Sequence, residues 1–292
     1  MRLRVPRAVT VSPPGSSGRR RTTARPGWSI WAYRSLIWNF TQRDLKARYK
    51  GTLLGWIWSL IVPLATLLIY TLVFSVIFRA EPPDFGNGEA GNFTVWLFGG
   101  LIAWNFLSQS VQLGIPTLLG SGPLLQKIYF PSYVPVLGMM GAILVQALIE
   151  LGIYAAVLLL LGNVGVSWLL FPVWLAIYLV FVAAVAIGLA AVNVYFRDIQ
   201  HLTGVALQLV FFLTPIIYPV TLVPAEWNGI PLQQVIMLNP VSQFVVTFRE
   251  LSYGLVVPSL STWLVLLTWA AAALALASWV YRRWGLDVGE AI

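Results

Sequence analysis

Apolar residues gather along this chain into six long runs, Leu53–Phe78, Phe93–Ile115, Val134–Leu161, Trp168–Val194, Leu202–Val220 and Trp263–Trp279, separated by short polar segments. A helix crosses a hydrocarbon layer about 30 Å thick with about 20 residues, so each run is read as a membrane span, the last prolonged to position 284. The pattern predicts an all-α integral membrane protein with six transmembrane helices. Residues 28–50 predict an amphipathic helix ahead of the first span. At 100° per residue, Ile30, Tyr33, Ile37 and Phe40 share one side, and Asn39, Arg43, Lys46 and Lys50 another. Asp44 and Arg48 stand i,i+4 with the acid first, the favourable order for a helical pair. This helix is expected to lie on the cytoplasmic leaflet with Trp28, Trp31 and Trp38 at headgroup depth. A plain juxtamembrane anchor fits the same pattern.

The connections differ in character. Gly120–Pro135 is a short turn-helix-turn punctuated by Pro123, Pro131 and Pro135, since each proline removes a backbone donor and biases its predecessor toward extended backbone. Such a helix is suited to docking on a partner; an ordinary helical loop is the plainer reading. Tyr195–His201 forms the other inner connection, and its His201, the sole histidine, is expected to be a polar cap. The segment 220–260 is long and interrupted by Pro224, Pro231, Pro240 and Pro258. Asn239-Pro240 predicts a helix start, with asparagine as cap and proline at the first helical position. Val241, Phe244, Val245, Phe248 and Leu251 then form an apolar stripe, preceded by a second helical piece at Leu232–Leu238. Irregular backbone at membrane depth is tolerated only inside protein or along a wet cavity, so 232–253 is expected to form short re-entrant gate helices.

Charge fixes the expected orientation. A cytoplasmic N-terminus puts the basic residues from Arg2 to Lys50 inside, with Lys127, Arg197, Arg282 and Arg283; only Arg79 and Arg249 fall outside, where Glu81, Asp84, Glu89, Glu226 and Glu250 also lie. Both termini are therefore expected in the cytoplasm. With 59% hydrophobic and 10% charged residues and a mean hydropathy of +0.81, the chain is too apolar for a soluble domain. Its net charge of +8 reads as topology and attraction to anionic membrane lipids rather than nucleic-acid binding. The absence of cysteine excludes disulfides and thiolate sites. Residues 1–27, basic and rich in Pro, Ser and Gly, are expected to be a disordered cytoplasmic tail with no signal peptide, leaving 28–292 as a single transmembrane domain.

Little in the chain points to bond-making chemistry. It has no phosphate-binding G-x-x-x-x-G-K-[ST] loop, zincin H-E-x-x-H or G-x-S-x-G elbow, so no catalytic, cofactor or metal residues are assigned. Glu150 stands out as a carboxylate inside a span, a functional candidate by default, although a hydrogen bond across a helix interface would also explain it. Nor is there an internal repeat of the kind secondary transporters use.

One combination of segments carries a resemblance. Leu36-Ile37-Trp38, Gln42 to Gly51 (QRDLKARYKG) and Leu54-Gly55-Trp56-Ile57-Trp58-Ser59-Leu60 with Pro63 are followed by Leu124–Pro131 (LLQKIYFP), Val192–Ile199 (VNVYFRDI), and Leu238-Asn239-Pro240 leading to Phe248-Arg249-Glu250. Over about residues 30–290 the chain resembles the type-two ATP-binding-cassette exporter permeases that move polysaccharide, O-antigen and teichoic acid. The resemblance implies a homodimer joined to two copies of a cassette ATPase that binds ATP and Mg, in the bacterial inner membrane, moving a lipid-linked glycan or polyol-phosphate polymer. It implies that ATPase coupling falls to Arg43, Asp44, Lys46 and Arg48 of the interface helix, Leu124, Leu125, Gln126, Lys127 and Tyr129, and Arg197 with Asp198. The outer gate would comprise Asn239, Pro240, Phe244, Phe248, Arg249 and Glu250.

A glycan pathway needs aromatic faces on which sugars slide and a wettable lining. Trp56, Tyr70, Phe74, Trp96, Trp104, Phe106, Phe211, Phe212 and Tyr218 are the aromatic candidates, with Asn105, Gln109, Gln112 and Gln208 as polar lining; for single tryptophans a membrane-interface belt is the simpler reading. Two other functions are weighed: a drug or lipid exporter of the same superfamily, and a membrane-embedded glycosyl or acyl transferase.

Overall fold

Short polar side chains start two of the long helices. Asn92 Oδ1 accepts from the Val95 N–H at 3.2 Å and Ser259 Oγ from the Thr262 N–H at 3.3 Å, each satisfying a donor that a helix start leaves open. The computed structural model describes residues 30–79, 81–125 and 130–285, and among them every regular element is helical. The tail 1–27, positions 28 and 29 of the predicted interface helix, Gln126, Lys127, Tyr129 and the side chain of Leu125 lie outside the described residues.

In chain order the helices are α1 (Arg34–Tyr49), α2 (Trp58–Tyr70, continued by a π-helical segment Thr71–Ile77), α3 (Phe93–Gly120), α4 (Gly122–Leu125), α5 (Tyr133–Leu160), α6 (Phe171–Tyr195), α7 (Ile199–Leu213), α8 (Leu232–Leu238), α9 (Pro240–Ser252) and α10 (Leu260–Val280). Four helical stretches are long and apolar enough to cross a membrane: Gly55–Ile77, Tyr133–Leu160, Val166–Tyr195 and Leu260–Arg283. They fall on the first, third, fourth and last predicted runs. The second run is α3, 28 residues long, whose Asn105, Ser108, Gln109, Ser110 and Gln112 lower its apolarity.

The fifth run is shorter than predicted. Expected to reach Val220, α7 stops at Leu213 after 15 residues. Thr214 is extended at φ −94°, ψ 134°, as a residue before proline tends to be. At 1.5 Å per residue α7 covers about 22 Å, less than a hydrocarbon core.

The central helix is α3, packed against α5, α6, α7 and α9. α1 lies on α5, where glycine permits contact of backbones. A Cβ on Gly138 would stand 2.3 Å from Phe40 Cβ, and Thr41 Oγ1 donates to Gly138 O at 2.9 Å. The two predicted faces of α1 hold: Phe40 is buried with Tyr33 and Ile37 packed beside it, while Asn39, Arg43, Lys46 and Lys50 are exposed. The α9 stripe is buried from Val241 to Leu251. Phe244 meets Tyr178 and Phe181, and Phe248 meets Tyr154, Phe171 and Trp174. α2 is the contrast, with Leu60, Val62, Leu64, Leu68 and Ile69 all exposed.

Candidate functional site

Helical spacing sets the most telling feature of α3. From Phe93 to Gln112 every residue is buried except Asn105, Gln109 and Gln112, which sit at i, i+4 and i+7 and so on one face. Three amides therefore form the open stripe of this otherwise buried stretch of α3. Turned toward lipid they would lose hydrogen bonds that hydrocarbon cannot replace. A wet surface is the environment that suits them. On α7, Gln208 joins them: Gln112 and Gln208, together with Gln200, His201 and Thr203, line a cavity of about 330 Å³. His201 thus lines a cavity shared by two helices.

The aromatic candidates divide between this surface and the core. Tyr70, Phe74, Phe93 and Trp96 form a chain of ring contacts from α2 to α3, with centroids 5.0 Å to 6.0 Å apart. Trp104 meets Phe211 at 5.4 Å, and Phe211 meets Phe212 at 5.3 Å. Trp56 is exposed, and the Tyr218 hydroxyl donates to Phe212 O at 2.9 Å. Three of these residues pack within this chain rather than line an open surface, Trp104 among them at 7% exposed. Phe106, 3% exposed, packs on Tyr178, and Trp96, 5% exposed, is covered by Arg249.

On α1, Arg43 Nε pairs with Asp44 Oδ1 at 2.7 Å. The expected Asp44–Arg48 pair does not form. Arg48 Nη2 instead donates to Gln109 Oε1 at 2.8 Å, because the fold carries the end of α1 against α3. Arg43 and Asp44 share a cleft of about 500 Å³ with Leu113, Pro116, Thr117, Gly120, Ser121 and Met139. Lys46 is exposed, and Leu124 is partly buried against the core. Arg197 and Asp198 lie in the exposed α6–α7 turn and do not line that cleft. Asp198 provides no side-chain cap for α7; the Gln200 N–H donates to Asn193 Oδ1 at 3.2 Å.

The segment 232–253 is held by an arrangement that sequence reasoning missed. Asn239 caps α9 as expected, Oδ1 accepting from the Val241 N–H at 3.0 Å, with Pro240 at the first turn. Its Nδ2 also donates to Thr214 Oγ1 at 2.9 Å, which fastens α9 to the end of α7. Arg249, expected on the outer side as part of the gate, is 6% exposed. Its guanidinium carbon lies 3.6 Å from the Trp96 ring centroid, Nε donates to Trp96 O at 3.0 Å, and Nη1 and Nη2 donate to Pro215 O and Ile216 O. Gly100 makes the room, since a Cβ there would stand 2.1 Å from Nη2. Glu250, the next residue, is only partly buried. Beyond α9, Tyr253 donates to Pro83 O at 2.8 Å and accepts from the Asn92 N–H at 3.0 Å. Burial pushes its hydroxyl up to about 12, so it remains a donor at neutral pH.

Comparison with known proteins places these features in a wider set. Residues 35–253 match the ABC-2 type transporter family. The chain is 32% identical over 256 residues to the O-antigen export system permease protein RfbA of Myxococcus xanthus, covering 84% of this chain and 93% of that protein. It is 28% identical over 217 residues to the protein of the same description from Klebsiella pneumoniae, covering 72% and 77%. Similarity to the polysialic acid transport protein KpsM of Escherichia coli is 25% over 208 residues, covering 68% and 76%.

Proposed function

Because the chain belongs to the ABC-2 type transporter family, and because α3 opens a single amide stripe, we propose that it is the channel-forming transmembrane subunit of an ATP-driven polysaccharide exporter. The stripe Asn105–Gln109–Gln112 carries this reading. Amides donate and accept hydrogen bonds, so they exchange partners with sugar hydroxyls and water without binding either firmly. The names of the relatives, O-antigen export and polysialic acid transport, point to a polysaccharide as cargo. The chain itself is a transport subunit and not an enzyme.

Several finer features belong to the same proposal. Two copies of the chain pair with two copies of a cassette ATPase that binds ATP and Mg, in the bacterial inner membrane with both chain ends in the cytoplasm. Six crossings satisfy that orientation, with α3 and α7 as the second and fifth. The ATPase meets the Arg43–Asp44 cleft, α4 and the Arg197–Asp198 turn. The cargo is a lipid-linked glycan or polyol-phosphate polymer, and α8 with α9 forms the re-entrant outer gate.

Phosphate release separates this proposal from its competitors. The isolated chain is expected to hydrolyse no ATP, and its complex with a cassette subunit to do so. Asn105→Leu with Gln112→Leu is expected to abolish surface polysaccharide in producing cells while the chain still inserts. ATP hydrolysis by the chain alone, or undiminished export by the double variant, overturns the assignment.

A further inference from the structure

Glycine inside a membrane helix is favoured where another surface comes close to the backbone, since it otherwise weakens the helix relative to alanine. Gly99 and Gly100 of α3 and Gly138 and Gly141 of α5 follow this pattern: a Cβ on each would collide with Tyr154, Arg249, Phe40 and Thr41 in turn. Gly204 does not. It stands in the middle of α7, and a Cβ there would find no atom of the described residues within 4 Å, apart from the backbone of its own turn.

The surroundings of Gly204 are polar. Its neighbours at i±3 and i±4 are Gln200, His201, Leu207 and Gln208, the residues that share its side of the helix. Gly152 on α5 also has open space, but its neighbours at the same offsets are Leu148, Ile149, Ala155 and Ala156, a surface suited to lipid. Gly204 instead lines the cavity of about 330 Å³ between α3 and α7, together with Gln112, Gln208 and His201. That volume is at the lower end of the roughly 300–1,000 Å³ of pockets that hold small molecules. Gln112 is also the last residue of the amide stripe, so the cavity continues the wet face of α3. Side chains that both donate and accept hydrogen bonds suit a hydroxylated occupant rather than an acyl chain. A second copy of the chain fits less well. It would have to satisfy Gln112, Gln200, Gln208 and His201 away from water, and close helix contacts at glycine are otherwise lined by small residues.

We infer that Gly204 sets the bore of the conduit: one saccharide unit of the polysaccharide passes against its backbone, while Gln112, Gln208 and His201 exchange hydrogen bonds with the hydroxyls. Gly204 is a specificity-determining residue, because the space beside it admits bulky or branched units that a side chain there would exclude. This inference rests on the reading of the chain as a polysaccharide exporter.

Two substitutions in the complex of this chain with its ATPase test it. Alanine gains helix propensity and meets open space, so Gly204→Ala is expected to raise the Tm in detergent by about 2 °C. A glycine kept for packing would give the opposite sign. Gly204→Leu fills the cavity and is expected to lower export of a branched polysaccharide about tenfold, on the scale of overfilling a packed site. A linear polymer of the same sugars should be slowed less, and the complex should keep its mass and its ATP hydrolysis. Gly204→Ala should show the same preference more weakly. A lowered Tm in Gly204→Ala, or export in which both variants treat the two polymers alike, overturns the inference. Loss of one copy of the chain from the Gly204→Leu complex assigns the glycine to contact between copies and overturns it as well. A wild-type complex that exports neither polymer refutes the exporter reading instead.

Discussion

Arg249 shows what a single side chain contributes to the packing around α9. It joins α9 to α3 through Trp96 and to the end of α7 through Pro215 and Ile216. Hydrogen bonds to a charged group contribute about 1.5–3 kcal/mol each, so Arg249→Met is expected to cost 3 kcal/mol or more and to lower the Tm in detergent. Gly100→Ala reaches the same contact from the other side and should also destabilise. Because both changes act on one contact, their costs should fall short of additive, which a double-mutant cycle measures. Additive costs would place the two residues in separate contacts. None of this was legible in the sequence. Arg249 stands in a segment read as a gate from its apolar stripe alone, and its partners lie far apart along the chain. Asn239 was legible, because an asparagine followed by proline is a local signal for a helix start.

Among the elements, α9 was readable because its stripe repeats at helical spacing, and burial of Val241, Phe244, Val245, Phe248 and Leu251 follows that spacing. The stripe is expected to close the resting channel. Phe→Ala in a core costs about 3–5 kcal/mol, so each single change should be checked for folding before Phe244→Ala and Phe248→Ala are combined. The double variant is expected to raise the permeability of vesicles to small solutes without ATP. Unchanged permeability in a folded double variant would place the closure elsewhere, at the aromatic contacts of α2 or α7. The end of α7 was misjudged because apolar composition continues through Pro215 to Val220 while the helix does not. Hydropathy records the environment of residues, and the Thr214-Pro215 step decides the backbone. In α1 the two faces were readable, but the partner of Arg48 was not: a favourable i,i+4 pair loses to a residue on another helix.

At the scale of the whole molecule, coverage is uneven. Most of α3 before Gln112 is enclosed, whereas α2 leaves Leu60, Val62, Leu64, Leu68 and Ile69 exposed. The proposed homodimer would cover such a face. Leu68→Cys is expected to give a disulfide-linked dimer on mild oxidation in membranes, read as a doubled mass on a non-reducing gel. Monomer at every oxidant concentration would move the dimer contact off this part of α2. Long apolar runs located the four stretches long and apolar enough to cross a membrane, and the amides of α3 were visible because they are polar within an apolar run. Neither signal revealed which aromatic rings turn inward, since Phe106 and Trp96 find Tyr178 and Arg249 only when the helices assemble.

The amide stripe has a bearing on tolerance to cargo chemistry. Asn105, Gln109 and Gln112 hold no formal charge, and each offers both donors and an acceptor. A lining of this kind neither repels acidic sugars nor retains them, as a ring of arginine or aspartate would. Away from Arg48, which bonds Gln109, the conduit is therefore expected to discriminate little by charge, leaving most of the choice among polymers to whatever delivers them. Producing cells engineered to make a neutral polymer and its carboxylated counterpart of equal length should display both at similar rates. Introducing Gln112→Glu should slow the carboxylated one alone, and equal slowing of both would show that this face of α3 does not meet the polymer.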